Sequence, residues 1–212
     1  MGKLNADNPG AEDRAAHFAE QFRAAGLGAF FRPGQMMHAG FTRDQLRSLL
    51  REGLVERVGR GLYRLASAEA TENYTLAMAC ARVPKSVVCL LTALRVHGIG
   101  TQAPSAVWLA IPHKARMTRL SGVRLRVVRF SGAAWTFGVK ETSFEGVAAR
   151  ITTPARTVVD CFRFERLVGP EVAMEALKDV LRRGKATIAE LSRAEERLPS
   201  RRLRAALDVR LV

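Results

Sequence analysis

The stretch FTRDQLRSLLREGLVERVGRGLYRL, residues 41–65, determines how the N-terminal part of the chain folds. It opens with T-x-x-Q, in which the hydroxyl of Thr42 can cap the amide of Gln45 while the Gln45 side chain reaches back. Apolar side chains then recur at helical spacing, at Leu46, Leu49, Leu50 and Leu54. The pattern predicts a short amphipathic helix that begins at Thr42 and ends at Gly53.

The residues around this helix complete a recognisable order of elements. Residues 11–26 have the pattern of a helix, and GAFFRPGQMMHAG predicts a short extended piece and a second short helix. After Gly53, LVERV and LYRL flank GRG, which predicts a β-hairpin with a glycine turn. Helix, strand, helix, capped helix and hairpin is the order of a winged helix-turn-helix, whose last helix enters the major groove. The alternative is a small α+β unit that binds no nucleic acid.

The charge of the chain favours a polyanionic partner. Its 212 residues hold 34 Lys and Arg against 20 Asp and Glu, a formal net charge of +14. A basic surface that is merely solvated is the other explanation. The excess is concentrated in residues 71–140, which hold ten basic residues and one acid, Glu72. Between Lys114 and Arg129 there are six basic residues and no acid, so this run is a candidate contact surface.

The remainder of the chain predicts a second, larger domain. Two helical stretches lead into short strands separated by Gly, Ser and Pro, and four amphipathic helices follow. The predicted fold class is therefore α+β, with an N-terminal winged helix-turn-helix and a mixed domain of a small sheet and C-terminal helices. We expect a flexible tail at residues 1–10, the winged helix at 11–68 and the α+β domain at 69–212.

Several classes of protein are disfavoured. The three cysteines have apolar neighbours and suit buried thiols in a reducing compartment better than disulfides or zinc. No apolar run approaches the roughly 20 residues that span a bilayer, and the N terminus lacks the order of a secretion signal. We therefore expect a cytoplasmic protein without a membrane contact. The four histidines lack ligand spacing, so we expect no metal site.

An enzymatic role finds little support in the sequence. A metal-dependent nuclease needs clustered carboxylates, and no Asp or Glu lies between Glu72 and Glu141. Glu141 and Glu145 beside Lys140 are the nearest approach to such a cluster. A P-loop, a G-x-S-x-G motif and the paired aspartates of a nucleotidyltransferase are all missing. We expect no catalysis and no cofactor, with a nuclease-like protein as the minor alternative.

The residues also carry a resemblance to a known family. LRSLLREGLVERVGRGLYRL resembles the winged helix of the AbiEi family of antitoxins and antitoxin-like transcriptional regulators. VVCLLTALRVHGIG, VWLAIP and ITTPARTVVDCF are similar to that family's second domain in order and spacing. The T-P-x-R-T-x-x-D piece, Thr153 to Asp160, is the most specific of these. The likeness covers roughly residues 30–195.

The resemblance implies an antitoxin of the type IV toxin–antitoxin class. Such a protein represses its own operon by binding inverted repeats in double-stranded DNA. It also counters a nucleotidyltransferase-like toxin without forming a stable complex with it. Many relatives are instead stand-alone regulators with no toxin beside them, so that alternative stays open.

The candidate DNA-binding residues fall into two sets. In the winged helix, arginines can bind guanine or phosphate, Gln45 can bind adenine if its capping role permits, and the hairpin arginines suit phosphate or the minor groove. This first set is Thr42, Arg43, Gln45, Arg47, Ser48, Arg51, Arg57 and Arg60. The second set, the middle basic patch, extends the contact with DNA or meets RNA or an acidic protein. It comprises Lys114, Arg116, Arg119, Arg124 and Arg126.

One further pair has a structural rather than a functional interpretation. Arg156 and Asp160 lie four residues apart, so a helix would bring their side chains together on one face. We expect a structural ion pair there. Trp108 and Trp135 are expected in the core.

Overall fold

The computed structural model describes residues 9–59, 61–68, 72–116 and 122–209 of the chain. The chain divides into two compact units, one formed by Met1–Arg82 with Ser143–Ala148 and the other by Val83–Thr142 with Ala149–Val212. The predicted winged helix lies within the first unit. Of the predicted tail, residues 1–8 lie outside the described residues, and the first helix begins at Pro9.

From the first helix to the hairpin the first unit has the element order that the sequence predicts, and it also contains the helix Tyr74–Arg82, which the sequence pattern assigns to the second domain. Its elements are α1 (Pro9–Ala24), β1 (Phe30–Phe31), α2 (Pro33–His38), α3 (Arg43–Arg51), β2 (Val55–Gly59), β3 (Leu62–Leu65) and α4 (Tyr74–Arg82). The three strands form an antiparallel sheet in the order β1-β3-β2. Strands β2 and β3 are the predicted hairpin, so the N-terminal winged helix-turn-helix is confirmed.

The core of the first unit explains why α3 presents a polar face to solvent. Phe22 of α1 is fully buried, and its ring centroid lies 4.6 Å from that of Phe31 in an edge-to-face arrangement. Leu46 and Leu49 of α3 pack into the same cluster. Burying these leucines turns the opposite side of α3 outward, because residues three and four apart share a helix face.

The second unit is the larger α+β domain that the sequence predicts. Its strands are β4 (Val87–Val88), β5 (Val107–Pro112), β6 (Leu125–Phe130), β7 (Val139–Phe144) and β8 (Val147–Thr152). Its helices are α5 (Leu90–His97), α6 (Ala133–Thr136), α7 (Pro154–Arg163), α8 (Glu165–Val168), α9 (Pro170–Arg182), α10 (Ile188–Arg197) and α11 (Arg201–Asp208). The sheet order is β6-β5-β4-β8-β7, with β5 and β6 parallel. The tip of the β7–β8 hairpin, Ser143–Ala148, counts with the first unit. The predicted fold class is confirmed.

Two local predictions were wrong. The apolar run SVVCLLTALRVHG suggests one buried helix, but its first part is β4, and α5 begins only at Leu90. Val88 pairs with Leu109 on one side and Ile151 on the other, so this short strand joins the two halves of the sheet. WTFGV suggests a strand, yet α6 ends at Thr136 and the strand begins at Val139. Short buried apolar runs lack the periodicity that separates helix from strand.

The three cysteines are free and buried, as predicted. Burial raises the pKa of the Cys80 thiol to about 12, because the thiolate is poorly solvated. Among the described residues, no group of three or more His, Cys, Asp or Glu side chains is arranged to hold a metal ion. No helix of that same part of the chain combines the length and apolar character that crossing a membrane requires.

The predicted ion pair between Arg156 and Asp160 is confirmed, and both side chains are completely buried. Arg156 Nε donates to Asp160 Oδ2 at 2.8 Å, Nη2 donates to the carbonyl of Ala134 at 2.9 Å, and Nη1 donates to the carbonyl of Phe137. Arg163 also donates to Asp160, at 3.1 Å. Burial raises the pKa of Asp160, and the two guanidinium groups oppose that shift.

A second buried carboxylate in this unit, that of Asp179, also pairs with two arginines, but these arginines are exposed to solvent. Asp179 accepts from the guanidinium groups of Arg182 and Arg183, at 2.5 and 2.9 Å, and from the amide of Gly100 at 2.8 Å. These hydrogen bonds hold the pKa of Asp179 well below its usual range. Unlike Arg156, both of its arginines are largely exposed to solvent.

We predict that Asp160→Asn is far more destabilising than Asp179→Asn. The first change leaves the buried guanidinium of Arg156 without its counter-charge, which costs about 3–5 kcal/mol. The second leaves two arginines that water still solvates, so the loss is smaller. Urea unfolding followed by circular dichroism compares the two variants. Equal losses would show that burial of the Arg156 charge does not govern the stability of this unit.

Candidate nucleic-acid interface

Helix α3 begins with the capping box that the sequence predicts. The amide of Gln45 donates to Thr42 Oγ1 at 3.2 Å, and the amide of Thr42 donates to Gln45 Oε1 at 2.6 Å. Two amides that the first turn would leave without partners are therefore satisfied. The capping role occupies the Gln45 carbonyl oxygen, which a bidentate contact with adenine would also need.

The outward face of α3 carries three exposed arginines one turn apart, at Arg43, Arg47 and Arg51. Arg47 Nη1 lies 2.9 Å from Asp44 Oδ1, with the two side chains 75% and 87% exposed. Such an exposed pair contributes little stability, so the guanidinium can exchange the carboxylate for a phosphate at small cost. Ser48 is half-buried and donates to Glu52 at 2.9 Å.

The hairpin after α3 presents a further arginine. Arg57 of β2 is exposed, and its Nε donates to the carbonyl of Gly59 at 3.4 Å. Gly61 has a φ of +63°, a conformation that favours glycine and that turns the chain toward β3. Arg60, the candidate between the two glycines, lies outside the described residues.

The middle basic patch belongs to the second unit. Lys114, Arg116, Arg124 and Arg126 are all exposed, and Arg119 lies outside the described residues. The Arg126 guanidinium carbon lies 5.7 Å from the centroid of the buried Trp108 ring, within the range of a cation–π contact. Strand β6, which carries Arg126, is an edge strand of the larger sheet among the described residues.

Not every arginine of this region is available to a partner. Arg129 Nη1 donates to the carbonyls of Pro112, His113 and Ala115, at 3.3, 2.5 and 2.9 Å. It therefore fixes the turn that carries Lys114 and Arg116. Trp135, expected in the core, is only partly buried, and the Arg150 guanidinium carbon lies 4.4 Å from its ring centroid.

The sequence reasoning overlooked two arginines of the first unit. Arg32 Nη2 donates to the carbonyl of Ala81 at 2.6 Å, and Arg82 Nη2 donates to the carbonyl of Val58 in β2. Their partners are backbone carbonyls 49 and 24 residues away, so no pattern of side chains in the sequence predicts these two hydrogen bonds. Arg32 and Arg82 therefore support the segments around the hairpin through backbone carbonyls and add to the predicted site residues.

The two candidate surfaces offer the donors that nucleic acid accepts. Exposed guanidinium groups can bind a phosphate or the O6 and N7 atoms of guanine in pairs of hydrogen bonds. The structure therefore presents cationic donors on α3, on the hairpin and on the edge of the larger sheet. Whether any of them touches a polyanion remains a prediction.

Comparison with known proteins supports the resemblance found in the sequence. Residues 20–66 match the family model described as "Transcriptional regulator, AbiEi antitoxin", which confirms the likeness over the winged helix. A crystal structure of the RV2827C protein from Mycobacterium tuberculosis is similar in fold, with a TM-score of 0.54 and 17% identity. That similarity covers 89% of this chain and 72% of the other. No curated protein sequence matches the chain.

We predict that Thr42→Ala destabilises the first unit by about 1 kcal/mol, because the amide of Gln45 loses the hydroxyl that accepts its hydrogen bond. Thr187 makes the same capping box with Glu190 at the start of α10, so Thr187→Ala is a matched control of similar cost in the second unit. Thr42→Ser, which keeps the hydroxyl, should restore stability. Urea unfolding by circular dichroism measures all three, and an unaffected Thr42→Ala variant would contradict the capping role.

Proposed function

We propose that the chain is a sequence-specific DNA-binding transcriptional regulator that represses its own promoter. The observation that carries this proposal is the capped helix α3, in which Leu46 and Leu49 are buried while Arg43, Arg47 and Arg51 face solvent. In a winged helix-turn-helix this helix lies in the major groove. The family match over residues 20–66 supports the same role.

In the proposed mechanism, helix α3 and the hairpin make chemically different contacts with the DNA. Arg43 and Arg47 bind base edges or phosphates in the major groove. Arg51 and Ser48 make further contacts with the DNA along the same helix. The hairpin places Arg57, with Arg60, beside the backbone or in the minor groove. Two copies bind an inverted repeat, because the twofold symmetry of such a DNA site matches the twofold symmetry of a pair of identical chains. Occupying the promoter is then sufficient to repress transcription, and no catalytic step is involved.

We further propose that the regulator is the antitoxin of a type IV pair. The family resemblance implies a nucleotidyltransferase-like toxin that the antitoxin counters without a stable complex. Co-expression of the neighbouring gene tests this part separately: growth arrest by that gene, relieved by this chain, would support it. If no such gene exists, a stand-alone regulator is the function that remains.

The first test is binding to duplex DNA that contains the promoter of the chain's own gene. We expect the pair of changes Arg43→Glu and Arg47→Glu to weaken binding at least about tenfold, since each good contact to a base is worth about 1–3 kcal/mol. Fluorescence anisotropy at fixed salt measures the affinity. Arg23→Glu, at an exposed position in α1, is the charge-matched control for each of the two single changes in α3.

Footprinting of the same duplex locates the protected bases. A wild-type chain that leaves the promoter unprotected at low salt would refute the regulator. An equal loss from Arg23→Glu and from either single change in α3 would mean that total charge, rather than the face of α3, determines binding.

The second test concerns the middle basic patch. If it contacts DNA, Arg124→Glu with Arg126→Glu should weaken binding and reduce the salt dependence by about 0.9 per lost phosphate contact. Arg197→Glu with Arg201→Glu changes the charge equally on exposed helical positions of the same unit and should have less effect. A series between 50 and 200 mM salt measures both, and a chain that contacts about six phosphates should lose roughly a thousandfold over that range. Unchanged affinity in the patch variant would assign the patch to another acidic partner.

A further inference from the structure

The hairpin that the proposed function places on DNA contains an irregularity. Arg57 of β2 is paired with Tyr63 of β3, and the next pair is Gly59 with Leu62, so the register shifts at Val58. A residue at such a bulge falls out of the regular ladder, and the strand bends there. The bend immediately precedes the tip of the hairpin, so it sets the direction in which the tip points.

Arg82 contacts this irregular segment from α4. Its Nη2 donates to the carbonyl of Val58, the residue at which the register shifts. A Cβ added to Gly59 would lie 3.1 Å from Arg82 Nε and 3.5 Å from Nη2. The guanidinium therefore packs directly against the backbone of Gly59, and the absence of a side chain there permits the close approach.

A second arginine, Arg32, contacts the end of α4 and lies near Gly61, on the other side of the hairpin tip from Gly59. Its Nη2 donates to the carbonyl of Ala81, the residue before Arg82, at 2.6 Å, so the last turn of α4 is fixed. Its backbone amide donates to Gln35 Oε1 at 2.8 Å, which ties it to the start of α2. A Cβ on Gly61 would lie 4.0 Å from Arg32 Nη1. The two arginines thus border the glycines on both sides of the hairpin tip.

We propose that Arg82 is a positioning residue for DNA binding, which holds the bulge of β2 so that Arg57 meets the DNA. It is half-buried and acts through the carbonyl of Val58 rather than by touching DNA. This inference rests on the proposed function. Helix α4 lies outside the 20–66 segment that matches the regulator family, so it adds a support that the matched segment does not contain.

The expected effect follows from the flexibility of a bulge. Without the guanidinium, the Val58 carbonyl and the chain around Gly59 gain alternative conformations, and binding must then select one of them. Ordering one or two backbone residues corresponds to an affinity loss of about tenfold. Because the loss arises through Arg57, it should disappear when Arg57 no longer contributes a contact.

A double-mutant cycle tests this dependence. Anisotropy with a labelled duplex from the upstream region of the gene compares wild type, Arg82→Gln, Arg57→Gln and the double variant. We expect each single change to weaken binding about tenfold and the double variant to bind no more weakly than Arg57→Gln alone. Arg82→Lys, which keeps a donor for Val58, should recover part of the loss. Circular dichroism checks that each variant is folded.

Two controls separate positioning from general stability. Arg150→Gln removes another guanidinium-to-carbonyl hydrogen bond, to Lys85 in the second unit, and should leave the cycle unaltered. If Arg82→Gln does not fold, Gly59→Ala is the second variant, because its methyl group would lie 3.1 Å from Arg82 Nε and forces the guanidinium to shift while every donor remains. Its effect should also vanish in the Arg57→Gln background.

The outcomes distinguish this inference from the proposed function. A wild-type chain that does not bind the duplex overturns the proposed function. Binding by wild type with additive losses in the cycle overturns only the positioning role. Binding that Arg57→Gln leaves unchanged shows that Arg57 contributes no contact with DNA, and it likewise overturns the positioning role while the contacts of α3 stand.

Discussion

A permanent positive charge sealed inside the second unit constrains how that unit is built. The guanidinium of Arg156 cannot lose its proton at any ordinary pH, so its N–H groups must find partners where water is excluded. They bind α7 through Asp160, α6 through the carbonyl of Ala134, and the segment between α6 and β7 through the carbonyl of Phe137. Gly138 follows at once, and a Cβ there would lie 2.8 Å from Cβ of Arg156. The charge therefore dictates the path of the chain from α6 into β7.

The first unit uses arginine in the same way, with consequences for how the net charge is understood. Arg32, Arg64 and Arg82 each donate to a backbone carbonyl, as Arg129 and Arg150 do in the second unit. Each of these cations adds to the formal charge of +14 while at least one of its five N–H donors is used internally. The total charge consequently overstates the number of cations offered to a partner. Exposure together with the lack of an internal role is the better guide to the candidate surfaces.

Local patterns in the sequence were sufficient for part of the structure. The capping box at Thr42 and the pair of Arg156 with Asp160 join residues three or four apart, so helical geometry alone brings them together. The strand at Val87–Val88 was missed because neighbours distant in sequence, around Leu109 and Ile151, select strand over helix for that apolar run. The hydrogen bond from Arg82 to the carbonyl of Val58 has no signal in the sequence for a related reason, since every residue has a carbonyl acceptor.

The contrast between the two ion pairs shows why exposed and buried arginines have different functions. Arg47 and Asp44 form their pair almost entirely in water, so breaking it costs little and the guanidinium remains available. Arg156 and Asp160 form theirs without water, where separating the charges is expensive. A DNA-binding helix benefits from the first arrangement, because a labile pair keeps the guanidinium near its working orientation until phosphate replaces the carboxylate. The acid on the face of α3 is then compatible with binding a polyanion, since it orients its neighbour and is readily exchanged.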